Sequence, residues 1–296
     1  MHMLISLFSH PTLLTDRKAT QDDWSSSAAD MAKMINDGPT VAPAEAMIDA
    51  LNNVSPLSNA TAIMDSGCGT GLATGLLIER YGSQLPLSCR IIAADFSSGV
   101  VAEVNKRREQ ELSSGNKLWG KVETALHDAQ DLSGISNDSI SHMMAGFMFF
   151  MVANPQRALT EALRVLQPKG VLVLTSWVGS EWMDLFDLLT KVRADVKPPK
   201  MGPVWSSVEG VTGQLQVAGF QNVEVRTMTT YMRINDPAAT VDYFIRKMPH
   251  MAKLREAMTE EEVDRACALM VEHLEEKFPK LPGYLAGTAI VGIGSK

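Results

Sequence analysis

The sequence predicts an α/β fold built on a mostly parallel sheet, and three observations predict it. From Ala60 onward, short apolar runs alternate with amphipathic helical stretches, the pattern of strands joined by crossover helices. A glycine-rich turn, Gly67-Cys68-Gly69-Thr70-Gly71, stands between the first apolar run and the first of those helical stretches, where a tight turn and close approach of backbone to a ligand favour glycine. The 296 residues, 45% hydrophobic and 21% charged, suffice for one large α/β domain with embellishments.

Two helices are expected ahead of the alternating region. Residues 23–37 carry Trp24, Ala28, Met31, Met34 and Ile35 at helical spacing. Residues 42–54 open with Pro43 in the first turn, where a missing N–H costs nothing, and bury Ala46, Met47, Ala50 and Leu51. Strands are expected at 62–65, 90–95, 122–127, 139–145 and 171–177, with a helix over 72–81 after the first. Before the fifth strand Asn154 caps a helix, Pro155 takes its first position, and Ala158, Leu159, Ala162, Leu163 and Leu166 form one stripe. Pro168 and Gly170 then turn the chain back. A helix over 181–195, a Pro-rich crossing at 197–203 and a helix over 206–218 lead through Gly219 to a strand at 223–230. Residues 237–278 read as helical. There Thr259 and Glu262 stand in capping-box spacing, and Val263, Ala266, Cys267, Met270, Val271, Leu274 and Phe278 share a face. A strand at 288–293 closes the chain.

Composition excludes several classes of function. The net charge is −7, and basic runs are short, such as Lys106-Arg107-Arg108, which lies among Glu103, Glu109 and Glu111, a solvated helix face and not a phosphate-binding stripe. No nucleic-acid partner is expected. Cys68, Cys89 and Cys267 have no paired spacing and no histidine cluster beside them, so neither a metal site nor a disulfide framework is expected. The apolar patch at residues 3–8 is too short for a secretory signal, and no stretch is long enough to span a bilayer. A cytoplasmic protein with no membrane partner is expected.

The chemistry concentrates at the ends of the first three strands. Asp65 stands two residues before Gly67; a carboxylate there repels a pyrophosphate and suits a ligand carrying an ammonium group. A glycine turn alone would fit NAD or FAD equally well. Asp95 ends the second strand, where an acid accepts hydrogen bonds from a ribose diol. Asp128 follows the third strand and can accept from an adenine amino group. Together they describe an adenosine site with no slot for phosphate.

These segments resemble those of the class I S-adenosylmethionine-dependent methyltransferases. Asp65-Ser66-Gly67-Cys68-Gly69-Thr70-Gly71 is similar to the first motif of that family. Asp95-Phe96-Ser97 and Asp128-Ala129 fall where the family holds ribose and adenine, and Arg164-Val165-Leu166-Gln167-Pro168-Lys169-Gly170 is similar to its stretch before the fifth strand. The resemblance covers residues 63–177 and comes nearest the ubiquinone-biosynthesis type and the fungal secondary-metabolite enzymes related to it. It implies a Rossmann-like twisted sheet of seven strands, mostly parallel with the last antiparallel, flanked by helices and covered by helical lid elements. It implies S-adenosylmethionine as cofactor and S-adenosylhomocysteine as product. Gly67, Gly69 and Gly71 would then lie against the methionine part, with Cys68 a small packing residue between them. Ala145 and Gly146 would face the sulfonium, and Trp24 would sit on a helix covering the cofactor. Two departures stand out: Gly146-Phe147-Met148 replaces the polar or Pro-containing signatures of amino-methylating enzymes, and Lys169 replaces a second glycine after Pro168.

The expected organisation is an N-terminal helical lid (1–58), a cofactor-binding core (59–234), a helical insert of the lid (235–284) and a final core strand (285–296). Phe147, Met148, Trp177 and Trp182 are the expected lining of an acceptor pocket, and the acceptor is expected to be a small, largely apolar metabolite. The sequence singles out no general base. His142 lies within a strand, while His10, His250 and His273 lie in the helical additions. Two rivals stay open: an enzyme that uses the bound sulfonium to steer a cyclisation without transferring methyl, and a binding protein with a dead site. Monomer and homodimer are equally compatible with the sequence.

Overall fold

A computed structural model of the chain describes residues 19–34, 38–198 and 200–296. His10, the apolar patch at 3–8 and the predicted helical residues 35–37 lie outside these. Seven strands, β1 (Ala62–Ser66), β2 (Arg90–Asp95), β3 (Val122–Leu126), β4 (Ile140–Ala145), β5 (Leu166–Ser180), β6 (Gln221–Ile234) and β7 (Gly283–Ser295), form one sheet in the order β3-β2-β1-β4-β5-β7-β6. The first five pair in parallel, and β7 runs antiparallel to both β5 and β6. The expected seven-stranded arrangement is therefore observed.

Helices α1 (Gln21–Met34) and α2 (Val41–Val54) precede the sheet. Helices α3 (Leu72–Tyr81), α4 (Ser98–Ser113) and α5 (Pro155–Val165) follow β1, β2 and β4. After β5 come the short α6 (Glu181–Asp184) and α7 (Leu189–Val192), joined by a 3₁₀ turn, and then α8 (Val208–Ala218). Between β6 and β7 lie α9 (Pro237–Asp242), α10 (Ala252–Glu256) and α11 (Glu260–Lys277).

Strand alternation divides the core. Ile63 and Ile91 face one layer with Met47, Leu51 and Leu77, while Met64 and Ile92 face the other with Leu159, Leu215 and Phe220. A third apolar cluster joins Trp177, Trp182 and Phe186 to the β6–β7 insert through Val241, Phe244, Met251, Met270 and Leu274. β6 leaves the sheet at Ile234, on the same edge as the carboxyl ends of β1 to β5, so the insert rises from that edge.

Local signals set most boundaries. The Asn154 side chain accepts from Arg157 N–H to cap α5, and Thr259 and Glu262 form the reciprocal capping box of α11. Gly219, at φ 100°, ends α8.

Four expectations need correction. Residues 166–170, expected as a helix end and turn, begin β5, because Lys169 at φ 69° donates its N–H to the Lys296 carbonyl and extends the ladder. β6 and β7 run well beyond 223–230 and 288–293, since twelve register pairs hold them to each other. The single helix expected over 181–195 is broken; the backbone turns extended at Arg193, whose guanidinium bonds Ala257 O and pairs with Asp195. Ala46 is only half-buried, while Pro43, Ala44 and Ile48 join the buried face of α2.

Candidate active site

The turn after β1 is held by backbone before any side chain acts. Gly67 and Cys68 both donate N–H groups to the Ala94 carbonyl, at 2.8 and 2.9 Å, fastening the turn to β2. Gly67, Gly69 and Gly71 all have positive φ, at 68°, 53° and 85°, a region costly for residues with a Cβ. Their surroundings differ. A Cβ on Gly67 would stand 2.5 Å from Met148 Cγ, whereas one on Gly69 would meet nothing within 4 Å. The middle of the turn thus borders open space. α3 begins at Leu72, and Gly71 before it has no side chain to cap the helix.

Two buried carboxylates brace this turn. Asp65, 1% exposed, accepts through Oδ2 from Thr74 N–H (3.1 Å) and Thr74 Oγ1 (2.6 Å). Burial pushes its carboxyl up to about 6 against the opposing effect of the Thr74 bonds, and the nearby Asp95 adds to the rise. Asp95 Oδ2 accepts from Gly69 N–H (3.1 Å) and its Oδ1 from Ser97 N–H (3.0 Å); burial raises this carboxyl as well. Sheet order puts the carboxyl ends of β3, β2 and β1 side by side, so Asp128, Asp95 and Asp65 occupy one edge. Asp128 is exposed and accepts from Gln130 N–H and Nε2; Ala129 beside it is half-buried.

Helix α1 is tied to this edge. Gln21 Nε2 donates to the Phe96 carbonyl, and the Ser25 hydroxyl meets Ser97 Oγ at 2.8 Å and accepts from Gly99 N–H. A Cβ on Gly99 would collide with Ser25, so glycine there admits the helix. Trp24 is half-buried on the same helix. Ser25, Gly99 and Thr74 escaped the sequence reading. Thr74 stands in the first turn of α3, a local signal that could have been used; the Ser25 contact spans more than 70 residues and has none.

On the other side of the turn, Ala145 is buried and Gly146 half-buried, with Met47 of α2 3.8 Å from where a Gly146 Cβ would be. Phe147 has φ 53°, an outlying conformation for an aromatic residue, and its N–H donates to Thr175 Oγ1 (3.0 Å). Its ring stacks on Trp177, centroids 4.3 Å apart at 16°, and Trp177 meets Trp182 edge-on at 5.1 Å. Of the four expected pocket residues Phe147 is half-buried; Met148, Trp177 and Trp182 are buried, Met148 against Gly67 and Trp182 against Gly287.

The other candidates for chemistry separate clearly. Burial holds the Cys68 thiol well above its usual range, with the Asp65 and Asp95 carboxylates adding to the effect, so it is no nucleophile. His142 is buried in β4 with both nitrogens engaged, by Ser141 Oγ and the Ser55 carbonyl. His273 is exposed on α11, and His250 lies half-buried in the insert. Among the described residues no group of three His, Cys, Asp or Glu side chains could hold a metal ion, and no helix is long and apolar enough to cross a membrane.

The open, positive-φ glycine at position 69 with a carboxylate fixed on each side fits an adenosine ligand that bears an amino acid. Comparison with known proteins agrees. A family model described as a methyltransferase domain matches residues 64–174. Methyltransferase ucsB of an Acremonium species is 32% identical over 274 residues, covering 92% of this chain and 94% of that one. The acetylaranotin bis-thiomethyltransferase of Aspergillus terreus is 24% identical over 69% of this chain and 70% of its own. The demethylmenaquinone methyltransferase of Clavibacter sepedonicus is 28% identical over 56% and 68%. The YcgJ protein of Bacillus subtilis has the same fold, with a TM-score of 0.53 over 85% of this chain and 98% of its own at 12% identity. The chain belongs to the class I S-adenosylmethionine-dependent methyltransferases, enzymes whose cofactor is S-adenosylmethionine.

Proposed function

We propose that this enzyme methylates a small, largely apolar metabolite by in-line displacement. The observation that carries the reading is the Phe147–Trp177 stack at the ends of β4 and β5, the side of the glycine turn away from the three aspartates. A flat apolar acceptor has rings to lie against there, and the half-buried Met183, Met201, Met228 and Met248 around the third apolar cluster offer adaptable packing.

In this reading Gly67, Cys68, Gly69 and Gly71 line the methionine part of the cofactor, Asp65 lies toward its ammonium end and Asp95, with Phe96 and Ser97, holds the ribose. Asp128 and Ala129 border the adenine, Ala145 and Gly146 face the sulfonium, and Trp24 covers the site. Phe147, Met148, Trp177 and Trp182 shape the acceptor side, Met148 and the two tryptophans from behind. When bound, the cofactor supplies an electrophilic methyl group on sulfur. The chain's own task is to align the acceptor with that methyl and to exclude water, and the N-terminal helices and the 235–284 insert act as the cover. The three thiols are free, which supports a cytoplasmic enzyme.

The test is mass spectrometry of a metabolite library incubated with the enzyme and trideuteromethyl-labelled cofactor. A labelled flat, apolar product together with S-adenosylhomocysteine supports the reading. Label only on protein, nucleic acid or strongly charged metabolites, or no label at all, rejects it.

A further inference from the structure

Arg107 of α4 is half-buried, not on the solvated face that the sequence assigns to the basic run 106–108, and its guanidinium ends against the first turn of α3. Its Nη1 donates to the Gly71 carbonyl at 3.0 Å. The same carbonyl accepts the Gly75 N–H at 2.9 Å, the first bond of the helix, while the Gly71 N–H donates to the Cys68 carbonyl at 3.0 Å. Gly71 is the last of the three positive-φ glycines of the turn, and both of its backbone polar groups are fixed.

Gly75 makes the room. It is buried within α3, where glycine is less stable than alanine. A Cβ there would stand 2.7 Å from Cζ and 2.8 Å from Nη1 of Arg107, too close for both to keep their places. The guanidinium thus fills the notch that the missing side chain leaves. Its Cζ lies 5.1 Å from the ring centroid of Trp119, a buried residue of the 3₁₀ turn before β3, in a cation–π contact. Burial disfavours its charge, and Glu111 of α4 and Glu79 of α3 act against that effect. Leu77 of α3 and Val104 of α4 already belong to one apolar cluster, so what the guanidinium adds is a fixed direction for one carbonyl.

Resting on the reading that the glycine turn holds the methionine part of the cofactor, we infer that Arg107 is a positioning residue of the cofactor site and that Gly75 is the notch it requires. The guanidinium holds the Gly71 carbonyl, and with it the end of the turn, in the receiving shape before the ligand arrives. Order that is present in advance need not be created on binding, so affinity rises. Asp95 holds Gly69 in the same way. The turn is braced from β2 at its middle and from α4 at its end.

The experiment measures S-adenosylhomocysteine binding by calorimetry, at a temperature where circular dichroism shows every variant folded. The variants are Arg107→Met, Gly75→Ala, the two combined, Lys106→Met as an exposed control on the same helix, and Gly69→Ala as the direct test of the turn. Arg107→Met deletes the bond to Gly71, and Gly75→Ala displaces the guanidinium with a methyl group. Each should weaken binding by about tenfold or more, the size of one hydrogen bond from a charged group. Both remove the same contact, so the double variant should bind within about threefold of the weaker single variant. It should also melt higher than Arg107→Met, because alanine then enters an empty notch in a helix. Amide exchange over residues 67–75 should quicken in the ligand-free single variants while β5 and β7 keep wild-type rates, which a general loss of stability would not produce. Lys106→Met should bind as wild type does. A loss under about tenfold in either single variant, a double variant more than about threefold weaker than both, an equal loss in Lys106→Met, or exchange that quickens throughout the sheet overturns the role of Arg107. Wild-type binding by Gly69→Ala overturns the reading of the turn itself, whereas a weakened Gly69→Ala beside unaffected Arg107 and Gly75 variants overturns the positioning role alone.

Discussion

The carboxylate of Asp95 is hydrogen-bonded to the backbone N–H of Gly69 at 3.1 Å, so the residue that closes β2 fixes the shape of the turn that leaves β1. The same carboxylate reaches Ser97 through its other oxygen, and Ser97 in turn meets Ser25 of α1. One side chain thereby sets the turn, the start of α4 and the docking of the first helix.

Asp95→Ala should therefore lose more than the proposed ribose contact. Each hydrogen bond to a charged group contributes about 1.5–3 kcal/mol, so affinity for S-adenosylhomocysteine should fall by about 100-fold or more. Calorimetry on a variant shown folded by circular dichroism measures it, and a change under threefold would exclude the role.

The glycine turn separates two kinds of damage. Gly67→Ala drives a methyl into Met148 at a positive φ and should cost about 2–4 kcal/mol of stability, read as a lower Tm without ligand. Gly69→Ala meets open space and should cost about 1 kcal/mol of stability while weakening S-adenosylhomocysteine binding tenfold or more.

Asp65 gives a pH signature. Its folded carboxyl titrates near 6 against 3.8 for the free group, so between those values the native chain binds more protons than the unfolded one. Its contribution to stability then falls as pH rises from about 4 to 6 and stays low above that. At about 1.4 kcal/mol per unit, Asp65→Asn should stabilise the ligand-free enzyme at pH 7 by up to about 3 kcal/mol and flatten this part of the pH profile. It should also weaken S-adenosylhomocysteine binding. Thermal melts at pH 4.5 and 7 check the sign; a variant less stable than wild type at both would refute it.

Phe147→Ala should act on the acceptor alone. Removing a stacked ring worth about 0.5–1.5 kcal/mol beyond its area should raise the KM for the acceptor about tenfold with cofactor affinity unchanged, as steady-state kinetics would report.

Much of this was legible in the sequence because it is local. Asp65, Gly67, Gly71 and Asp95 declare themselves by standing at the ends of apolar runs, and Asn154 and Thr259 by the caps they form. The long β7 was less legible: Gly283, Gly287 and Gly292 dilute its pattern, and it is pairing with β6 and β5 that holds it extended. Phe147's backbone conformation depends on Thr175, far along the chain, and no window of residues encodes it.

The insert leaves the sheet at Ile234 and returns at Gly283, the two residues facing each other in adjacent antiparallel strands. Such an excursion behaves as an interchangeable module. Because its two ends meet in one register pair, a change in the insert's length need not disturb the strands beneath it.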